Sequence, residues 1–163
     1  MSGFARATGA AATDGSATAA ESGGVMRLCY TTRAVKVSEL GHVSLFVRDL
    51  DASLRFYRDL LGLAETGRGK DGRIAFLSAG RHHHDVSLER ARADGPPVPK
   101  GAPGLYHIAF RICATPDELA AARAAVEAVG LAPFGEMAGA RPCFCVRDPD
   151  GNEIELYVDP ASG

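Results

Sequence analysis

Long apolar runs are missing from this chain of 163 residues. None approaches the roughly 20 consecutive residues that cross a bilayer. The N-terminus also lacks the compact apolar stretch of a secretory signal. Strong charge of either sign is missing too, with a formal net charge of −2 and a pI of about 6.2. No electrostatic argument therefore points to nucleic acid or an anionic membrane as a partner. The four cysteines, Cys29, Cys113, Cys143 and Cys145, include no CxxC pair. In a strand, Cys143-Phe144-Cys145 places both thiols on one face. A disulfide framework is not expected, and the composition reads as a reduced, cytoplasmic protein.

Residues 1–25 are mostly Ala, Gly, Ser and Thr, with Phe4 the only aromatic. Such a segment buries too little apolar area to offset its ordering entropy, so disorder is expected. Residues 26–37 read as a partly ordered arm, with Met26 an alternative start. The expected domain is 38–159, long enough for one real core.

Within it a pattern occurs twice. His42-Val43-Ser44-Leu45-Phe46-Val47 and His107-Ile108-Ala109-Phe110-Arg111-Ile112 both read as strands opened by histidine. After the first come Leu50, Leu54, Tyr57 and Leu61 at near-helical spacing, ended by Gly62, a natural left-handed cap. After the second comes Thr115-Pro116-Asp117-Glu118, a capping box with proline at the first helical position. Leu119, Ala122, Val126 and Val129 form that helix's apolar stripe, and Gly130 stops it. Further strand-like runs follow in each half: Arg73–Leu77 and Asp85–Leu88, then Pro142–Val146 and Glu153–Val158. The whole reads as an α+β fold of paired βαβββ modules forming a cupped mixed sheet. Module one spans 38–90 and module two 105–159, joined by a Pro/Gly-rich linker over 91–104.

Strand alternation assigns faces. Val43, Leu45 and Val47 suit packing under a helix, which leaves His42, Ser44 and Phe46 on the other face. In the second strand Ile108, Phe110 and Ile112 go one way, and His107, Ala109 and Arg111 the other. Two modules facing each other would enclose a cavity lined by both histidines. Glu155, in the last strand, is the third candidate ligand; Glu153 has the same phase but follows the Gly-Asn turn directly. Two neutral imidazoles and a carboxylate leave positions on a metal open for substrate and oxygen.

The segments Gly41–Asp49, Phe56–Leu63, Tyr106–Phe110 and Asp148–Leu156 resemble the vicinal oxygen chelate superfamily, over about 38–159. Its members include extradiol dioxygenases, glyoxalase I, fosfomycin-modifying transferases and metal-free antibiotic binders. By this resemblance His42, His107 and Glu155 are metal ligands. Superimposing the halves puts Ser87 where Glu155 stands, whereas a glyoxalase I-like site takes His and Glu or Gln from both halves. Three ligands suit Fe(II) and oxygen better than an isomerase, although Mn, Ni or Zn fit the same donors.

Arg81-His82-His83-His84-Asp85-Val86 resembles the His-Asp-Val segment of extradiol ring-cleaving enzymes, which makes His84 the acid/base. Two positions depart from that pattern. Cys145 stands where those enzymes carry tyrosine, and Met137-Ala138-Gly139 stands where related proteins carry Asp-His-Gly. The resemblance thus implies a non-haem Fe(II) extradiol-type dioxygenase using a small catechol and O2, as a homodimer. The alternatives it leaves are a metal-dependent lyase, isomerase or thiol transferase, and a drug-binding protein without catalysis. Arg111 reads as a salt bridge at the end of the barrel before a holder of substrate carboxylate. Cys143 and Cys145 read as small walls of the cavity, and Phe56 and Tyr57 as helix-to-sheet packing.

Overall fold

The computed structural model describes residues 36–93, 95–96, 99, 101–113, 115–139 and 141–159. The disorder expected over 1–25, and the arm expected over 26–37 except its last two residues, lie outside them. Residues 36–40, the described part of an N-terminal unit, carry no helix or strand.

From Gly41 onward, strand β1 (Val43–Val47) leads into helix α1 (Leu50–Leu54), which continues through wider, π-helical turns over Arg55–Leu60. Three strands follow: β2 (Ala64–Gly69), β3 (Ile74–Ser78) and β4 (Val86–Arg90). The order then recurs as β5 (His107–Cys113), α2 (Pro116–Ala128), β6 (Phe134–Met137), β7 (Cys143–Arg147) and β8 (Glu153–Val158). Each repeat builds a four-stranded mixed sheet, ordered β1-β4-β3-β2 and β5-β8-β7-β6. In both, the first and last strands of the module run parallel and the other pairs antiparallel. This is the paired βαβββ architecture, with β1 and β5 at sheet edges.

Local chemistry explains each element. Leu45 and Val47 are buried while Ser44 and Phe46 are exposed, which is the period-2 alternation of a half-buried strand. Asp49 caps α1 by accepting from the N–H groups of Asp51 and Ala52. Leu61 N–H then reaches back five residues to the Phe56 carbonyl at 3.0 Å. The wider turn lets the neighbours Phe56 and Tyr57 both enter the core, with edge-to-face rings 5.0 Å apart. Gly62 ends the segment at φ 79, and Gly130 does the same after α2 at φ 84. The capping box of Thr115 and Glu118 is present, and Val126 is the buried residue of α2. Val129 departs from the expected stripe. The helix ends at Ala128, and Val129, the cap residue with non-helical backbone, is 63% exposed.

Strands β2 and β6 were not anticipated as separate runs. Ala64–Gly69 is glycine- and charge-rich because it is an edge strand with few apolar positions to fill. At Gly69 a β-carbon would lie 3.3 Å from the Phe76 ring, so the glycine lets that ring lie across β2.

The modules share one apolar cluster, which includes Leu45 and Val47 from one and Ile108, Phe110, Ile154 and Leu156 from the other. Across it, the buried Tyr57 hydroxyl donates to Asp148 Oδ2 at 2.8 Å. Asp148 also accepts from the N–H groups of Asp150 and Asn152 and from Asn152 Nδ2. The Asp148–Gly151 turn therefore does more than reverse the chain: it ties the first helix to the second module. Arg48 adds a second tie, through its backbone N–H and Nη1 to the Asp150 carboxylate.

Candidate metal centre

The two parallel pairings have the same register. On β1 and β4, Ser44 stands opposite Ser87; on β5 and β8, Ala109 stands opposite Glu155. The repeat thus superimposes Ser87 on Glu155 in the structure as in the sequence. In module one the two serine hydroxyls share a 2.6 Å hydrogen bond. In module two Ala109 offers no polar atom, so the carboxylate turns to His107 instead. The distance from His107 Nε2 to Glu155 Oε2 is 3.7 Å, beyond hydrogen-bonding reach. Nδ1 of the same ring is buried and has no hydrogen-bond partner.

These observations fit a divalent cation. Two donors each about 2.1 Å from one ion lie about 3.0 Å apart at a right angle and about 4.2 Å apart when opposed. The His107–Glu155 spacing falls inside that range, and neither imidazole nitrogen is committed to another protein group. Glu153 is placed differently. It stands opposite His107 in register, but it is buried and lies 3.7 Å from Arg147 Nη2. Its charge also pushes the Tyr106 phenol above its ordinary pKa.

His42 and His84 are elsewhere. Their rings meet at 4.5 Å, tilted by 48°, in a cavity of about 200 Å3 lined by Ser44, Ile74, Phe76 and Ser87 among others, all from module one. Among the described residues, no three His, Cys, Asp or Glu side chains come together in a group that could hold a metal ion. Within one chain, His42 therefore does not join His107 and Glu155 in a metal-holding group. The reason lies in the packing. The modules meet through their core faces and the Tyr57–Asp148 bond, and alternation puts the histidines on the opposite, open faces. The structure brings His107 to Glu155 and His42 to His84, as two half-sets.

His84 is half-buried among aromatic rings, 4.9 Å from Phe76 and 5.1 Å from His83. Burial, then the neighbouring His42 and His83, hold its pKa below the usual imidazole value, so the neutral form prevails at pH 7. Its Nδ1 meets His83 Nδ1 at 2.8 Å, which leaves Nε2 as the open nitrogen. Cys143 and Cys145 are both buried and free. Cys145 stands opposite Glu155, and burial, then the Glu153 and Glu155 charges, push its thiol up to about 11. It stays protonated and fits the expected role of wall. Ala138 is exposed between β6 and β7. Arg111 is exposed on the His107 face, and among the described residues it makes no ion pair, contrary to the salt bridge expected there.

Sequence reasoning missed Phe76 and the Ser44–Ser87 bond. Both were within reach of the alternation argument: Phe76 shares a face with Ile74, as Ser44 does with His42.

The profile of the Glyoxalase/Bleomycin resistance protein/Dioxygenase superfamily matches residues 39–156. The chain belongs to this superfamily. Among curated superfamily members, metapyrocatechase of Pseudomonas sp. (strain CF600) is 31% identical over 125 residues, covering 73% of this chain and 37% of that protein. Glutathione transferase FosA of Serratia marcescens is 30% identical over 122 residues, covering 75% of this chain and 82% of that protein. The chain thus spans little more than a third of metapyrocatechase but most of FosA. A solved glyoxalase/dioxygenase structure from Nostoc punctiforme superimposes with a TM-score of 0.66 at 24% identity, covering 82% of this chain and 99% of that one. That likeness supports the fold. No helix among the described residues is long and apolar enough to cross a membrane.

Proposed function

We propose that this superfamily member is a metal-dependent extradiol-type dioxygenase acting on a small catechol. His107 and Glu155 of one chain and His42 of a second copy would hold Fe(II), with Mn, Ni or Zn able to occupy the same donors. A homodimer supplies what one chain lacks, because the two half-sets lie on open faces beside the unpaired edge strands β1 and β5. The observation that carries the reading is the contrast at one register position. Glu155 faces His107, whereas its counterpart Ser87 is tied to Ser44 and offers no carboxylate. Two imidazoles and one carboxylate leave room for two oxygens of a catechol and for O2.

When bound, iron would supply Lewis acidity and a path for electron density between chelated catechol and O2. The chain's own residues do the rest. His84, neutral and with Nε2 open, accepts a catechol proton and returns it to the opened product. His42 and Phe76 hold the His84 ring between them. Cys145 and Ala138 provide neither the phenol nor the imidazole of related ring-cleaving sites, so substrate orientation falls to other groups. Oxygen uptake by iron-loaded protein with a panel of catechols tests the reading. The expected result is O2 consumption matched by a yellow ring-opened product; turnover surviving strict anaerobiosis contradicts it.

A thiol transferase acting on an antibiotic is the second reading. It is supported by the 30% identity to FosA over 122 residues and by the two missing polar groups. Thiol consumption without oxygen would select it. A lyase or isomerase with four protein ligands is disfavoured by Ser87. Stoichiometric drug binding unchanged by chelator would instead indicate a binding protein.

A further inference from the structure

The histidine run His82-His83-His84 has one member in the proposed chemistry and two outside it. His83 is exposed and His84 half-buried, their rings stand nearly perpendicular at 83°, and both lie against Phe76. Their Nδ1 atoms are 2.8 Å apart. Two nitrogens bound at about 2.0 Å to one ion at a right angle are separated by about 2.8 Å. The pair is already at chelating distance. The one competing arrangement, a single shared proton between the nitrogens, is what an incoming cation displaces.

We infer that His83 Nδ1 and His84 Nδ1 form a second, exchangeable site for a borderline transition metal such as Zn2+, Ni2+ or Cu2+. Water completes the coordination on the exposed His83 side. Neutral imidazole is a good ligand for these ions. The site shares no donor with the proposed main site, whose His107 and Glu155 lie in the other module and whose His42 has its ring 4.5 Å from that of His84. Its occupation has a consequence that rests on the function proposed above. A metal on His84 Nδ1 fixes the remaining ring proton on Nε2, so Nε2 can no longer accept a proton. Excess Zn2+ would then silence the enzyme without removing its active metal.

The test is equilibrium dialysis of the full chain against Zn2+, with bound metal counted for wild type, His83→Gln and His107→Ala. The inference expects His83→Gln to bind one equivalent fewer than wild type and His107→Ala to keep that equivalent. With Cu2+ in place of Zn2+, the His107→Ala protein should show an electron paramagnetic resonance signal split by two nitrogens, lost in His83→Gln/His107→Ala. Equal metal content in wild type and His83→Gln overturns the second site, whatever His107→Ala shows. If His107→Ala keeps every equivalent while His83→Gln loses one, the second site stands and the function proposed above fails. With iron loaded and no Zn2+ added, His83→Gln sets its own baseline turnover, and relative to that baseline it should resist the inhibition that added Zn2+ causes in wild type.

Discussion

Module one and module two share a backbone and differ in what they hang on it. Both open with histidine, and both pair first and last strands in the same parallel register. At the matching inner position one has Ser44 bonded to Ser87, the other Ala109 beside Glu155. The serine pair closes on itself, whereas the alanine leaves a carboxylate free to face an imidazole. Module one in turn gathers His42, His83, His84 and Phe76, while module two keeps a single histidine there. Under the function proposed above, one half of this duplicated scaffold would supply most of the metal's donors, and the other one donor and the proton carrier.

The sharpest break of that comparison is at the carboxylates. Glu155→Gln should weaken divalent-metal binding more than ~100-fold, a larger loss than the 10–100-fold typical of groups that only support a ligand. Glu153→Gln, already engaged near Arg147, should cost under ~10-fold; metal titration monitored by calorimetry distinguishes them. Making the halves alike is the next test. Ser87→Glu gives module one the missing carboxylate and should raise metal affinity while lowering oxygen-dependent turnover at least ~10-fold, because a fourth protein ligand fills a position needed by substrate or O2. If turnover is unchanged, the three-ligand argument loses its basis.

The tie between modules should show in stability. Tyr57→Phe removes a buried donor from Asp148, which keeps three others, at a cost of about 1–3 kcal/mol by urea unfolding. Least in size is the cap of the first helix. The Ala52 and Asp51 N–H groups hold the Asp49 carboxyl below its ordinary 3.8. A lowered folded-state pKa contributes stability that is present above the ordinary value and lost as pH falls through the folded one. Asp49→Ala should therefore be less stable than wild type near neutrality, and the gap should close in acid as pH falls through the lowered folded value.

Much of this was legible beforehand, for identifiable reasons. Alternation in β1 and β5, the Thr115–Glu118 box and the terminating glycines are local signals, and the structure realises each. Ser87 as the counterpart of Glu155 followed from the repeat alone. Edge strands β2 and β6 were harder, because glycine and charge at an edge carry little periodicity. Tyr57 read as packing, since nothing near it in sequence announces a carboxylate in the other module. The grouping of the histidines was illegible for a deeper reason. Alternation tells which face a side chain takes, but not whether two faces close on each other within one chain or between two.

Mixing His42→Ala chains with His107→Ala chains tests that closure directly. Each variant alone should bind no metal at the main site. After co-refolding, statistical pairing makes half the dimers mixed, each with one intact site, so about a quarter of wild-type binding should return. Full metal retention at that site by either variant alone would contradict the account.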